Sequence, residues 1–383
     1  MQRFQIGLKY RDLGLPKYMQ VKYSLKSAID KGMFGLGDKL PSIQQMAGEF
    51  KVSYITMRQA IHALEEDGHV KSIHGHGTFV ADSLPESAQT GIKKVKVVIP
   101  GRHSSLPLSE LYKSGSNHTT EILHCIGDRM CGSGIEVTLE SSVDISDVLD
   151  DETDGYCLIS IRRSFLPKLT ELAHSGYRFV VINSSWPGQK DFVCVDSNNY
   201  ESARKAVEFA YKLGHRKIGF VSNFQLPCDI NNSNDRFQGY KDALADLGIP
   251  YSDKWVIMPD YIPSNPSEPT NLYETVLEHL KRTDSATALF AGGLFEAGYV
   301  YQAAGSLGIK IPEQLSVIGF DDFASAAFYQ PPLTTFRQPL YEMVKVAHDY
   351  LTKMTAGEKV KKGNIFIPCT LVQRNSAGEF RVT

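Results

Sequence analysis

No stretch of this 383-residue chain approaches the roughly 18 consecutive apolar residues that a membrane-spanning helix needs. The N-terminus, Met1–Tyr10, also lacks the apolar core of a secretory leader, so a cytoplasmic location is expected. Cysteine is scarce and dispersed. Cys125, Cys131, Cys157, Cys194, Cys228 and Cys369 form no C-x-x-C pair and have no clustered histidine partners, which argues against a disulfide framework or a zinc site. Reduced, mostly buried thiols are the expectation. The chain contains no G-x-S-x-G elbow, no P-loop and no G-x-G-x-x-G after a strand; Gly75-His-Gly77 falls on a hairpin, not a phosphate loop. No cofactor and no metal are therefore expected. Net charge is small too, at −2, and by itself says nothing about nucleic acid.

The distribution of charge says more. Residues 1–82 hold 11 lysines and arginines against 8 acids, +3, whereas the remainder holds 30 against 35, −5. A basic front end on an acidic body suits contact with phosphates. With 42% hydrophobic and 22% charged residues, the chain has material for two or three folded units.

Residues 17–82 read as three helices and a hairpin. Tyr18, Val21, Leu25, Ala28 and Ile29 recur at helical spacing up to Lys31-Gly32. Ser42 is a natural N-cap for a helix whose apolar face is Ile43, Met46, Ala47 and Phe50. After the short Lys51-Val52 turn, Ser53 caps a third helix with Met57, Ala60, Ile61 and Leu64 inward, ending at Asp67-Gly68. Val70–Val80 reads as two short strands around His74-Gly75-His76-Gly77. Helix, tight turn, helix and β-wing is the layout of a winged helix-turn-helix, an α+β unit assigned here to residues 1–81. Residues 82–94 have linker composition: small and polar, with Pro and Gly and no periodicity.

From Val95 onward, β-rich runs at Val95–Ile99, Gly134–Leu139, Tyr156–Ile161, Phe179–Ile182, Ile218–Val221, Ala288–Ala291 and Leu315–Gly319 alternate with amphipathic helical stretches. That pattern predicts an α/β fold with parallel sheets covered on both faces. Residues 95–383 are too many for one such sheet, so two lobes are expected. Chain crossings between them are expected near 193–200, 333–338 and 357–365. Small ligands in such folds collect at the carboxyl ends of strands or between lobes.

Gly37-Asp-Lys-Leu-Pro-Ser42, Val52-Ser53, Thr56-Met-Arg58-Gln-Ala60, Leu64-Glu-Glu-Asp-Gly68 and Gly75-His-Gly-Thr-Phe-Val80 together resemble the GntR-family winged helix in order and spacing. The remainder resembles the LacI and periplasmic sugar-binding module. The matching segments are Leu213–Phe220, Arg236-Phe-Gln-Gly-Tyr240, Leu307–Pro312, Val317-Ile-Gly-Phe-Asp-Asp322 and Pro331-Pro-Leu-Thr-Thr335. The combination is similar to the arabinose-repressor subfamily. It implies a homodimeric transcriptional regulator, of the repressor type, that binds a palindromic operator and answers to a sugar or related small polar effector.

On the DNA side, the third helix would place Ser53, Tyr54, Thr56, Arg58 and Gln59 in the major groove. Arg58 suits guanine or phosphate and Gln59 suits adenine. Ser42 opens a helix whose first amides can face a phosphate, and the wing tip would bring His74, Gly75 and His76 to the minor groove. Gln44 and Tyr54 stand where the resembled proteins usually carry arginine, so fewer phosphate contacts are expected.

On the effector side, Arg236 precedes the Gly239-Tyr240 helix and its forked donors suit vicinal hydroxyls. Asp321 follows a buried strand; Asp322 beside it reads as the cap of the next helix. Asn183, Asp196 and Ser105 complete the candidate set. Ala291-Gly292-Gly293-Leu294 occupies the place where the resembled family reads Ala-Asn-Asp, so contacts there must come from elsewhere, with Arg102, Arg162 and Arg163 as candidates. An enzyme reading rests only on the Asp321-Asp322 pair. Adjacent residues at a strand end point to opposite sides, and no third ligand sits at informative spacing. A sugar-binding module without a DNA role would show no salt-dependent binding to any promoter fragment.

Overall fold

The computed structural model describes residues 17–30, 32–66, 68–73, 75–82, 92–100, 118–131, 134–142, 144–261 and 270–380. The chain divides into two units, Met1–Gln89 and Thr90–Thr383.

In the first unit, α1 (Lys17–Asp30), α2 (Ile43–Phe50) and α3 (Tyr54–Glu66) precede the antiparallel pair β1 (Val70–Ile73) and β2 (Gly77–Val80). One apolar face from each helix meets in a core of Val21, Leu25, Met46, Phe50, Met57 and Leu64, closed by Val70 and Val80. Ser42 caps α2 through a capping box: its Oγ accepts from Gln45 N–H, and Gln45 Oε1 accepts from Ser42 N–H. Lys51, in the left-handed region at φ 53°, ends that helix and makes the tight turn into α3. Ser53 Oγ accepts from Thr56 N–H, starting α3 where its sequence promised.

Among the described residues, the second unit holds two six-stranded sheets. The first has the order β13-β7-β6-β5-β3-β4 and is parallel throughout. Its strands are β3 (Lys94–Pro100), β4 (Glu136–Ser142), β5 (Gly155–Ile159), β6 (Phe179–Ile182), β7 (Val193–Ser197) and β13 (Gly363–Ile367). The second runs β14-β12-β11-β10-β8-β9, with only β14 antiparallel. It comprises β8 (Ile218–Val221), β9 (Val256–Ile257), β10 (Ala288–Ala291), β11 (Ser316–Phe320), β12 (Thr334–Arg337) and β14 (Thr370–Val372). The central strands β5, β6, β7, β8, β10 and β11 are buried at every position, which is why they read as continuous apolar runs.

Helices cover both faces of each sheet. In the first lobe α4 (His118–Ile126) and α10 (Leu340–Thr355) lie on one side and α5 (Leu166–His174) on the other. In the second, α6 (Asn199–Lys212) and α7 (Asn231–Asp246) oppose α8 (Leu272–Leu280) and α9 (Leu294–Ser306). The α6–α7 contact depends on Gly239, where an added Cβ would lie 2.2 Å from the carbonyl oxygen of Tyr200.

Three readings need correction. The chain crosses between lobes after Ser197, after Arg337 and after Ile367, so the third crossing lies beyond 357–365. Gly363–Ile367 pairs in parallel with Val193–Ser197 before the chain leaves, and a polar approach to that strand had masked it. Strand β3 begins at Lys94, inside the span read as linker, because Asp154 Oδ2 accepts the backbone N–H of both Lys93 and Lys94. Arg236 does not precede its helix: α7 starts at Asn231, whose side chain donates to Asp235 one turn on.

Candidate functional site

Two groups of polar residues are built by these elements, one in each unit. In the first unit, packing Met57, Ala60, Ile61 and Leu64 inward turns Tyr54, Arg58 and Gln59 to solvent. Tyr54 is 54% exposed. Ser53 and Thr56 are occupied with each other, their hydroxyls 2.8 Å apart, so they hold the helix start and leave the outward face to their neighbours. Gln44 is exposed on α2, and Ser42 is engaged in its capping box. Gly75 and His76 are exposed at the turn of the wing, and His74 lies outside the described residues. Lys39 pairs with the wing through a β-bridge to Phe79, its ammonium lying 5.9 Å from that ring.

In the second unit, the carboxyl ends of β5, β6 and β11 carry Ser160, Asn183 and Asp321. All three lie in the left-handed region, at φ 54°, 63° and 73°. Non-glycine residues there are uncommon, and when several gather at strand ends they mark a place where side-chain position outweighs backbone comfort. Asn183 Nδ2 donates to Ser160 Oγ at 3.0 Å, and the Asn183 carbonyl and Oδ1 accept from Asn232 Nδ2 of the other lobe at 3.3 and 3.4 Å.

Arg236 sits in the second turn of α7. Its guanidinium stacks over the Phe320 ring at 4.5 Å and donates to Asn199 Oδ1, and its buried Nε has no hydrogen-bond partner among the described residues. Stacked, forked and partly unsatisfied, it is held in one orientation with donor capacity to spare. Asp321 accepts from Gln338 Nε2 at 2.5 Å and lies 3.5 Å from His118 Nδ1 of the first lobe. Burial pushes the Asp321 carboxyl up, yet His118, Arg236 and Gln338 outweigh it and hold the group below the usual carboxylate range. Burial likewise works against a proton on His118, but Asp321 wins and raises it. Each group thus favours the charged form of the other across the lobes.

Asp196 is fully buried. It accepts from Ser185 Oγ and Ser197 N–H, and from Asn232 Nδ2 at 3.3 Å, so it faces the protein interior and organises the crossing. Burial drives its carboxyl up to about 7 against the donors from Ser185 and Ser197. Ser105 lies outside the described residues. Asp322 caps no helix: Arg337 and Arg374 bind its buried carboxylate at 2.6 Å each, which leaves it no part in acid–base work beside Asp321.

The Gly292-Gly293 gap is filled by a residue that sequence reasoning passed over. Glu296, one turn into α9, folds its carboxylate back so that Oε2 lies 2.6 Å from where a Cβ on Gly293 would be. Oε1 accepts from Asn223 N–H at 3.2 Å. Burial raises this carboxyl, and Arg236 and Asp321 are both within its electrostatic reach. The signal lay in the spacing: an acid three residues after a glycine at a helix start can occupy the glycine's empty side-chain volume. Asn199, Asn232, Gln338 and His118 were missed for another reason, since each reaches the cleft from a distant part of the chain.

Residues 17–80 match the bacterial regulatory proteins of the gntR family, and residues 207–377 match the periplasmic binding protein-like domain. The arabinose metabolism transcriptional repressor of Geobacillus stearothermophilus is 26% identical over 390 residues, covering 95% of this chain and 98% of that protein. The HTH-type transcriptional repressor PurR of Yersinia pestis bv. Antiqua is 31% identical over 186 residues, spanning 48% of this chain and only about half, 52%, of that protein. Among solved structures, a transcriptional regulator CelR–cellobiose complex superposes with TM-score 0.61 at 21% identity, over 86% of this chain and 93% of that one. A LacI family regulator from Enterococcus faecium with bound ribose superposes with TM-score 0.60 at 20% identity, over 76% and 100%. The named relatives are repressors, regulatory proteins rather than enzymes. The chain thus joins a DNA-binding domain of the gntR type to a periplasmic-binding-protein-like domain, and is a transcriptional regulator.

Proposed function

We propose that this protein represses a sugar-utilisation operon from the cytoplasm, as a homodimer on a palindromic operator, and that a monosaccharide or related polyol bound between its lobes alters its grip on DNA. The observation that carries the effector half is the constellation of Arg236, Asp321, Asn183 and Glu296. Asp321 and Asn183 stand at the carboxyl ends of strands from the two sheets, α7 and α9 bring in Arg236 and Glu296, and together they offer forked donors, carboxylates and an amide, the mixture that holds vicinal hydroxyls. Asp196 supports that floor from beneath, and Ser105 is proposed to reach it from the loop after β3. On the DNA side, Tyr54, Arg58 and Gln59 are proposed to read bases. Ser53 and Thr56 set the helix start, while Ser42, Gln44, His74, Gly75 and His76 approach the backbone and minor groove.

Closure of the lobes on the effector would change the dimer's spacing of its two DNA-binding units. Because the two ligands act on one equilibrium, their affinities are coupled reciprocally, by about 1–3 kcal/mol. The decisive experiment is a gel shift against the DNA upstream of this protein's own gene, over a range of salt and with a panel of monosaccharides. Salt-dependent retardation that one sugar relieves or strengthens is expected. No retardation even at low salt removes the DNA role, and retardation indifferent to every sugar removes the sugar effector.

A further inference from the structure

Helix α3 leaves a large apolar side chain in water on the face that turns away from the core. Ile55 is 68% exposed, more than neighbouring Tyr54. With Arg58, Gln59 and His62 it stands at i, i+3, i+4 and i+7, so the four share one stripe, and all four are exposed. The same helix buries Met57, Ala60, Ile61 and Leu64, so nothing about the local apolar content prevents an isoleucine from being packed. The stripe carries no acid. Glu65, beyond it, accepts the backbone N–H of Ser72 in the wing.

A surface complementary to this stripe needs hydrogen-bond acceptors for Arg58 and Gln59 and one small apolar feature among them. A protein groove for an apolar anchor would meet a continuous apolar patch, whereas Ile55 is followed directly by a cation and an amide. The major groove presents the required pattern: acceptors on purine edges, and the C5-methyl of thymine as the apolar feature of the base edges. We propose that Ile55 is a specificity-determining residue that packs on a thymine methyl group in each operator half-site, beside the base contacts of Arg58 and Gln59. This rests on the reading that α3 enters DNA.

The test begins with in vitro selection of random duplexes by the full-length protein. Each thymine of the selected duplex is then replaced singly by deoxyuridine, which keeps every base-pairing group and lacks only the methyl. One position per half-site is expected at which the substitution weakens wild-type binding about four-fold, the factor that burial of one methylene-sized group corresponds to. At that position Ile55→Ala should bind the thymine and deoxyuridine duplexes equally, while keeping the wild-type helical circular dichroism. The proposal fails if no position is methyl-sensitive, if Ile55→Ala retains the sensitivity, or if Tyr54→Ala abolishes it instead. It also fails if Ile55→Ala changes the sedimentation of the DNA-free protein, since the face would then be a contact between copies. Selection that enriches no sequence overturns the DNA reading itself, and this proposal with it; enrichment without an Ile55-dependent methyl effect overturns this proposal alone.

Discussion

Gln338 donates its side-chain amide to Asp321 at 2.5 Å from the segment on which the chain returns to the first lobe. Its carbonyl end accepts from Ser197 Oγ at 2.8 Å, where the chain first leaves that lobe. Asn198 N–H in turn reaches the Ile367 carbonyl at the third crossing. One cleft carboxylate is thus connected through a single amide to two of the crossing segments, and a backbone hydrogen bond ties the first of these to the third.

Removing that amide should therefore register in stability before any effector is known. Gln338→Ala takes a donor from a buried, charged Asp321 and is expected to destabilise the protein by about 1.5–3 kcal/mol, because hydrogen bonds to charged groups lie in that range. Denaturant unfolding measures it, and a change within about 0.5 kcal/mol, the range of ordinary surface substitutions, would show that Gln338 is not a link of consequence.

Arg236→Ala and Arg58→Ala should separate the two binding activities. The first removes the guanidinium stacked on Phe320 and is expected to abolish effector response in gel shifts with operator affinity kept. The second is expected to weaken operator binding by about 1–3 kcal/mol, and to lower the salt dependence if its contact is to phosphate. Arg236→Lys should behave like Arg236→Ala, since an ammonium neither forks nor stacks as a guanidinium does. Loss of both activities in either single variant would contradict the division of labour.

Glu296 and Gly293 should behave as a pair. Gly293 has an extended backbone at φ −166°, so only space opposes a side chain there. Gly293→Asp alone sets a second carboxylate against Glu296 Oε2 and is expected to cost about 1–3 kcal/mol, as overpacking typically does. Adding Glu296→Ala vacates the volume and should recover most of that loss. A double-mutant cycle by denaturant unfolding checks this, and additive effects would show that the two positions do not share space.

Asp196 should make stability fall with rising pH. Its carboxyl is raised from the ordinary 3.8 to about 7, so the fold favours the protonated form. The resulting stabilisation is fully present below the unfolded value and is lost as pH rises through about 7. His279 and His348, both pushed down to about 4 by burial, act oppositely: their contribution is present above the usual histidine value and lost as pH falls toward 4. Asp196→Asn should remove the first component alone, so the difference in unfolding free energy between wild type and variant should change steadily between pH 4 and pH 7. A constant difference across that window would show that Asp196 does not titrate there.

Much of this was legible in the chain because its causes are local. Helical spacing placed Met57, Ala60, Ile61 and Leu64 on one face of α3, and a capping serine stood before each of α2 and α3. Buried parallel strands announced themselves as apolar runs such as Phe179–Ile182 and Ile218–Val221, which match the observed strands residue for residue. Motif order and spacing also placed Asp321 just past a strand end. Local periodicity carried no trace of which distant side chains would meet. Asn232 and Asn183 are 49 positions apart, Gln338 and Ser197 are 141 apart, and His118 reaches Asp321 from another lobe. Asp322, read as a cap, was claimed by Arg337 and Arg374, because two cations at 2.6 Å bind a buried carboxylate more strongly than a helix end can. The two domain types and their order follow from repeating patterns of burial and capping, which act over a few residues. The composition of the cleft follows from packing, since two sheets bring charges together across more than a hundred residues and let Glu296 occupy the space that Gly293 leaves open.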